Sequence, residues 1–175
     1  MKIERPGLIQ FAGQAQTVVG ADIYVGQKAP DFVVLRNDWT TIRALKETHG
    51  KVRVIASVPS LDTPVCDREA RRFNEEAANL GEDIAILVVS MDLPVAQKRW
   101  CGAAGVERVI TLSDSARADF GRKYGTLMKE ARILRRAVFV VDRNRIVRYA
   151  AYMPTNGDEP DYLAVLEAAR SALLR

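Results

Sequence analysis

Histidine occurs once in this chain, as His49, and cysteine only twice, as Cys66 and Cys101. Three scattered ligands of this kind cannot complete a tetrahedral zinc site. The residue three beyond Cys66 is Glu69, so the Cys-x-x-Cys pair of dithiol-disulfide isomerases is missing as well. Long apolar runs are equally scarce. The longest, "IAILVV" from Ile84 to Val89, falls far short of the roughly 20 residues a membrane span needs. The opening "MKIERPG" mixes charges where a signal peptide carries an apolar stretch. The formal charge of +4 is modest, and the basic residues are dispersed without interleaved aromatics, which argues against nucleic-acid binding. A soluble, cytoplasmic protein is expected, with no metal, no cofactor, no membrane and no nucleic acid among its partners.

What is present suits one globular domain over residues 1–175, large enough to bury about 70 % of its unfolded surface without staples. No repeat or low-complexity linker divides it. Two short apolar pieces around Gly13-Gln14 predict an N-terminal β-hairpin at about residues 7–20. Strands are expected at "DFVVL" (31–35) and "KVRVIASV" (51–58), with a short helix or loop over "TTIRALKETHG" between them. A helix then runs from Cys66 to about Leu80 and is closed by Gly81. There follow a strand "DIAILVVS", a helix "PVAQKRWCGAAG", a short strand near "RVITL" and a helix "ARADFGRKYG". A hairpin "RAVFVVDRNRIVRYAAYM" and a terminal helix "DYLAVLEAARSALL" complete the order. A βαβα middle followed by an antiparallel hairpin and a helix predicts an α/β layer fold of the thioredoxin type, a mixed central sheet with helices on both faces.

Within that order Cys66 occupies a particular place. The buried strand "VRVIASV" ends, the chain turns between Pro59 and Pro64, and the thiol sits where strand becomes helix. With Thr63 as N-cap, Pro64 falls at N1, where its missing N–H is harmless, and Cys66 falls at N3. Unpaired backbone N–H groups and the helix dipole favour an anion there, a thiolate included. A plainer reading competes: Cys66, Ala70, Phe73, Ala77 and Leu80 recur at helical spacing and form one apolar stripe headed by an inert thiol. Ionisation alone also makes a weak catalyst. Bringing a thiol from about 8.5 to about 6 gains roughly thirtyfold in thiolate at pH 7, and the accompanying loss of nucleophilicity returns about tenfold. Catalysis at such a thiol needs donors arranged around the bond that breaks. Cys101, beside Trp100 and directly before Gly102, reads on its own as a small core residue.

Taken together, "PSLDTPVCDREARRFN", "MDLPVAQKRWCGAAG" and "RAVFVVD" resemble the thiol peroxidase subfamily of the peroxiredoxins, the atypical two-cysteine type. The resemblance extends from the N-terminal hairpin to "EPDYLAVLEAA", and its P-x-x-x-T-x-x-C pattern is met by Pro59, Thr63 and Cys66. It implies a thioredoxin-like peroxiredoxin fold, with Cys66 as the peroxidatic and Cys101 as the resolving cysteine. Thr63 and Arg136 are then the companions of Cys66, Arg136 because it immediately precedes "AVFVVD"; Arg135 is its neighbour. Taken without the resemblance, Arg136 reads as one surface arginine among Arg132, Arg135, Arg143, Arg145 and Arg148. Thiolate attack on the terminal peroxide oxygen leaves a sulfenic acid and expels an alkoxide or hydroxide. The Thr63 hydroxyl, the Cys66 N–H and the Arg136 guanidinium can stabilise that moving charge, and Pro59 can shield the sulfur.

The resemblance further implies a thioredoxin-dependent reduction of hydrogen peroxide and organic hydroperoxides through an intramolecular Cys66–Cys101 disulfide, in a homodimer. Two segments depart from the family's pattern: Ser115-Ala116, where an aromatic followed by Arg is usual, and "YMPTNGDEPDY", where the loop is usually acidic and contains Ile. A redox sensor or thioredoxin-fold interaction module, switched by the same disulfide without turnover, is the competing function. An α/β domain with two inert thiols is the third.

Overall fold

The computed structural model describes residues 3–175, so Met1 and Lys2 of the expected domain lie outside the described residues. β1 (Glu4–Phe11) and β2 (Gln14–Val19) form the N-terminal hairpin, turning on Ala12 and Gly13 at φ of 50° and 75°. β3 (Val33–Leu35) and β4 (Thr41–Arg43) make a second hairpin, and α1 (Ala44–Glu47) follows β4 at once. β5 (Val52–Ser57), α2 (Pro64–Leu80), β6 (Ile84–Ser90), α3 (Pro94–Ala104) and β7 (Ile110–Ser113) are the expected alternating middle. α4 (Asp119–Lys123), β8 (Leu127–Met128), β9 (Ile133–Leu134), β10 (Ala137–Val141), β11 (Val147–Tyr152) and α5 (Tyr162–Leu173) complete the chain.

Seven strands form a mixed sheet in the order β11-β10-β5-β6-β7-β3-β4. β5, β6 and β7 run parallel, which requires crossovers, and α2 and α3 supply them. The other pairs are antiparallel. Alternation along the strands sorts two cores. On β5, Val52, Val54 and Ala56 pack with α2, α3 and α5, whereas Ile55 joins the opposite face with Phe32, Phe120, Tyr124 and Phe139. This is the thioredoxin-type layering that the element order implies.

A second, four-stranded sheet in the order β1-β2-β8-β9 is not foreseen from the sequence, because β8 and β9 are two residues each and too short for any periodicity. The fourth helix is also shorter than "ARADFGRKYG" suggests. Asp114, directly after β7, accepts from Phe120 N–H at 3.1 Å and Gly121 N–H at 2.8 Å, so the first helical turn is capped from a distance and begins at Asp119. Burial holds the Asp114 carboxyl up at about 6 against those two bonds.

Candidate active site

Strand register delivers the site. Ala137 of β10 pairs with Ser57, the last residue of β5, so Arg136 stands at the edge where β5 releases the chain toward Cys66. Pro59 is buried at the start of that turn. Thr63 is the N-cap of α2, with extended φ and ψ of −95° and 145°, and Pro64 opens the helix, which puts Cys66 at N3. The Thr63 side chain, however, caps no helical N–H. Its hydroxyl donates instead to the Ser60 carbonyl at 2.8 Å, so the threonine oxygen keeps its lone pairs for an incoming donor and leaves the first-turn N–H groups uncapped.

Cys66 has no exposed surface, and its Sγ accepts from Arg136 Nη2 at 3.1 Å. The same guanidinium donates through Nη1 to Glu69 Oε2, and through Nε and Nη2 to the Asn156 carbonyl at 3.2 and 3.0 Å. The Asn156 side chain closes the clamp, its Oδ1 accepting from Arg136 N–H at 3.1 Å. Arg136 is thereby aimed at the sulfur by one carboxylate, one carbonyl and one amide. Burial would lower its pKa, but the Glu69 carboxylate and the Cys66 sulfur hold it above its ordinary value. Glu69 is itself buried, its Oε1 without a hydrogen-bond partner among the described residues, and that burial pushes its carboxyl up to about 7 despite Arg136.

A carboxylate also fixes the loop in front of Cys66. Asp92 of "MDLP" accepts from Ser60 Oγ at 2.7 Å, Leu61 N–H at 2.9 Å and Ser90 Oγ at 2.7 Å, tying the loop after β5 to the end of β6. The departure at Ser115-Ala116 lies just behind this tie: Ser113 Oγ donates its one proton to the Asp92 carbonyl and accepts from the Ser115 hydroxyl.

The structure brings Cys66 and Arg136 into contact, with Thr63 and Pro59 on the loop that presents them. It keeps Cys101 apart. Cys101 Sγ lies 3.4 Å from Thr111 Oγ1 on β7, half-buried at the wall of an open cavity of about 430 Å³ that Arg36, Asn37 and Glu107 also line. Arg135 points elsewhere, held by Asp22 and the Gly125 carbonyl, with its guanidinium 4.1 Å from the Tyr152 ring centroid.

Sequence reasoning misses Glu69, Asn156 and Asp92. For Glu69 a signal exists, since an acid three residues after Cys66 interrupts the apolar side of α2. Asn156 lies in "YMPTNGDEPDY", one of the two departing segments. Its position depends on a turn in which Thr155 N–H donates to Asp158 Oδ2 at 3.0 Å and Gly157 N–H to Thr155 Oγ1 at 3.2 Å.

The Redoxin family matches residues 24–166. The thiol peroxidase of Oceanobacillus iheyensis is 52% identical over 158 residues, covering 90% of this chain and 95% of that protein. The thiol peroxidase of Bacillus subtilis is 47% identical over 163 residues, 93% and 96% of the two chains. Among solved structures, a peroxiredoxin-like protein from Aquifex aeolicus superposes with a TM-score of 0.84 at 36% identity, covering 96% of this chain and 99% of its own. With the thiol-bearing loop, its arginine and these matches in hand, the chain belongs to the Redoxin family, in the thiol peroxidase branch of the peroxiredoxins.

Proposed function

We propose that in this thiol-dependent peroxidase Cys66 attacks the hydroperoxide, Cys101 resolves the product, and a thioredoxin returns both to thiols. The observation that supports it most is the contact of Arg136 Nη2 with the buried Cys66 Sγ at 3.1 Å. The Cys66 thiolate attacks the terminal oxygen of R–O–O–H; the S–O bond forms, the O–O bond breaks, and the products are Cys66–SOH and RO⁻. Arg136 and the first-turn N–H groups lie where negative charge travels from sulfur to the leaving oxygen, and the Thr63 oxygen can accept the peroxide O–H. Pro59 shields the sulfur from bulk water. Because Cys66 has no exposed surface, peroxide enters as the 60–63 loop or the Asn156 turn relaxes.

Cys101 then displaces hydroxide from Cys66–SOH, giving water and the intramolecular disulfide. Hydrogen peroxide and organic hydroperoxides are the proposed substrates, and the protein works as a homodimer of one thioredoxin-like domain per chain, in the cytoplasm. Among the described residues no helix is long and apolar enough to cross a membrane. A coupled assay with thioredoxin, thioredoxin reductase and NADPH tests the reading. Repeated turnover of peroxide is expected, whereas one stoichiometric oxidation per chain means a redox sensor instead.

A further inference from the structure

The residue after Cys66 and the residue before Cys101 are bonded to each other. Trp100 Nε1–H donates to Asp67 Oδ1 at 2.9 Å, and Arg71 Nε donates to Asp67 Oδ2 at 2.9 Å. Arg71 continues across to α3, donating through Nη1 to the Ala104 carbonyl at 3.1 Å, with its guanidinium carbon 5.9 Å from the Trp100 ring centroid. Ala104 is the last residue of α3, so its carbonyl has no partner within the helix and Arg71 acts as its cap. Asp67, Arg71 and Trp100 thus clasp the first turns of α2 to the C-terminal half of α3. α3 needs such support: Gly102 interrupts it and Gly105 ends it in the left-handed region at φ 64°.

The two sulfurs, meanwhile, are held over different strands. Cys66 Sγ is on Arg136, the residue directly before β10, and Cys101 Sγ is on Thr111 of β7, with β5 and β6 between. β10 and β7 are three strand spacings apart, ~14 Å, and the arginine side chain spans only part of that. A disulfide needs Cβ atoms about 3.5–4.5 Å apart. Bond formation therefore requires Cys66 to leave Arg136 and Cys101 to leave Thr111. Asp67 and Trp100, each one residue away, cannot stay bonded while both cysteines travel.

We propose that Asp67, Arg71 and Trp100 form a latch that sets the rate of the resolving step. This rests on the reading that Cys66 attacks and Cys101 resolves. While the latch is closed, Cys66 stays on Arg136 and the site is competent for peroxide. Once Cys66–SOH has formed, latch opening lets the Cys101 thiol attack the sulfenic sulfur: the S–S bond forms, the S–O bond breaks, and hydroxide leaves with the thiol proton as water. If opening is slow, a second peroxide oxidises Cys66–SOH to Cys66–SO₂H and is reduced to its alcohol. The latch thus divides the sulfenic acid between resolution and over-oxidation.

Two variants test it. Trp100→Phe keeps an aromatic ring but removes the indole N–H together with the pyrrole part of the side chain, at a position packed in the core; Arg71→Met, at a half-exposed position, removes the second tie without touching the core. Rapid-quench mass spectrometry after one equivalent of hydrogen peroxide follows sulfenic acid and disulfide separately. In both variants sulfenic-acid formation is expected within about twofold of wild type. Disulfide formation is expected to be roughly tenfold faster, the scale for losing one hydrogen bond to a charged group. The peroxide concentration that half-converts Cys66 to sulfinic acid should rise by the same factor. A general loosening of the fold would instead slow the first step. Unchanged or slower resolution with normal sulfenic-acid formation overturns the latch while leaving the roles of the cysteines intact. If no Cys66–Cys101 disulfide forms in wild type, the roles themselves fail and the latch falls with them.

Discussion

Replacing Arg136 by methionine separates two contributions that we propose for one guanidinium. The first is chemical. On the proposed role of Cys66, loss of one preorganised donor at its sulfur should lower the rate of Cys66 oxidation by roughly 10² to 10³, about 3–4 kcal/mol of transition-state stabilisation. The second is structural, because the same substitution strips buried Glu69 of its only ionic partner among the described residues. An orphaned buried charge costs about 3–5 kcal/mol, but a carboxyl can escape by taking a proton. Burial already holds Glu69 at about 7, and without Arg136 it moves higher. For an acid whose folded-state pKa is raised, the folded state binds the proton more tightly, and stability falls as pH rises from the unfolded to the folded value. Arg136→Met should therefore melt close to wild type at pH 5.5 and well below it at pH 8, while its rate deficit relative to wild type persists at both. The double variant with Glu69→Gln should recover the melting temperature at pH 8 and none of the rate. Stopped-flow oxidation and paired thermal melts measure both quantities. A rate within threefold of wild type, or one restored by Glu69→Gln, would refute direct action of the guanidinium on the sulfur. Arg135→Met is the control. Its contacts with Asp22, Gly125 and Tyr152 predict a lower melting temperature and a nearly unchanged oxidation rate.

Wild-type stability should itself fall as pH rises from about 4.5 to about 7, since burial raises both Glu69, to about 7, and Asp114, to about 6. Glu69→Gln should flatten the part due to Glu69, on the order of 3 kcal/mol, in denaturant unfolding at a series of pH values. The disulfide form should melt no higher than the reduced form. Closing the Cys66–Cys101 loop restricts the unfolded chain by roughly 3–4 kcal/mol, and unwinding around both cysteines offsets it. Amide exchange should show lost protection at residues 64–70 and 95–104; clear stabilisation with unchanged protection there would contradict the unwinding.

Much of the site is legible in local signals along the chain. Thr63, Pro64 and Cys66 announce a helix start through positional chemistry that depends only on sequence neighbours, and the helix begins there. β5, β6 and β10 are buried throughout, and their runs of β-branched residues read as central strands. The pairing of distant polar groups has no such signal. Arg136 meets Glu69, Asn156 and Cys66 only because β10 lies beside β5, and no periodicity encodes that register. Asp92 falls between the expected strand "DIAILVVS" and helix "PVAQKRWCGAAG" with no local signal of a role, whereas its carboxylate holds Ser60 and Leu61 in the fold. The helical capping of Thr63 is legible as a position but not as a bond, because the Ser60 carbonyl wins its hydroxyl. β8 and β9 exist by virtue of β2, which pairs with β8, and have no pattern of their own.

Mapping the oxidation state of each cysteine after one equivalent of peroxide tests the division of labour between Cys66 and Cys101 most directly. Wild type should yield the intrachain Cys66–Cys101 disulfide. Cys101→Ser should yield one fast oxidation, found as sulfenic and then sulfinic acid on Cys66, and Cys66→Ser should show no fast oxidation at all. Rapid oxidation of Cys101 in the Cys66→Ser protein would reverse the two roles and contradict the account.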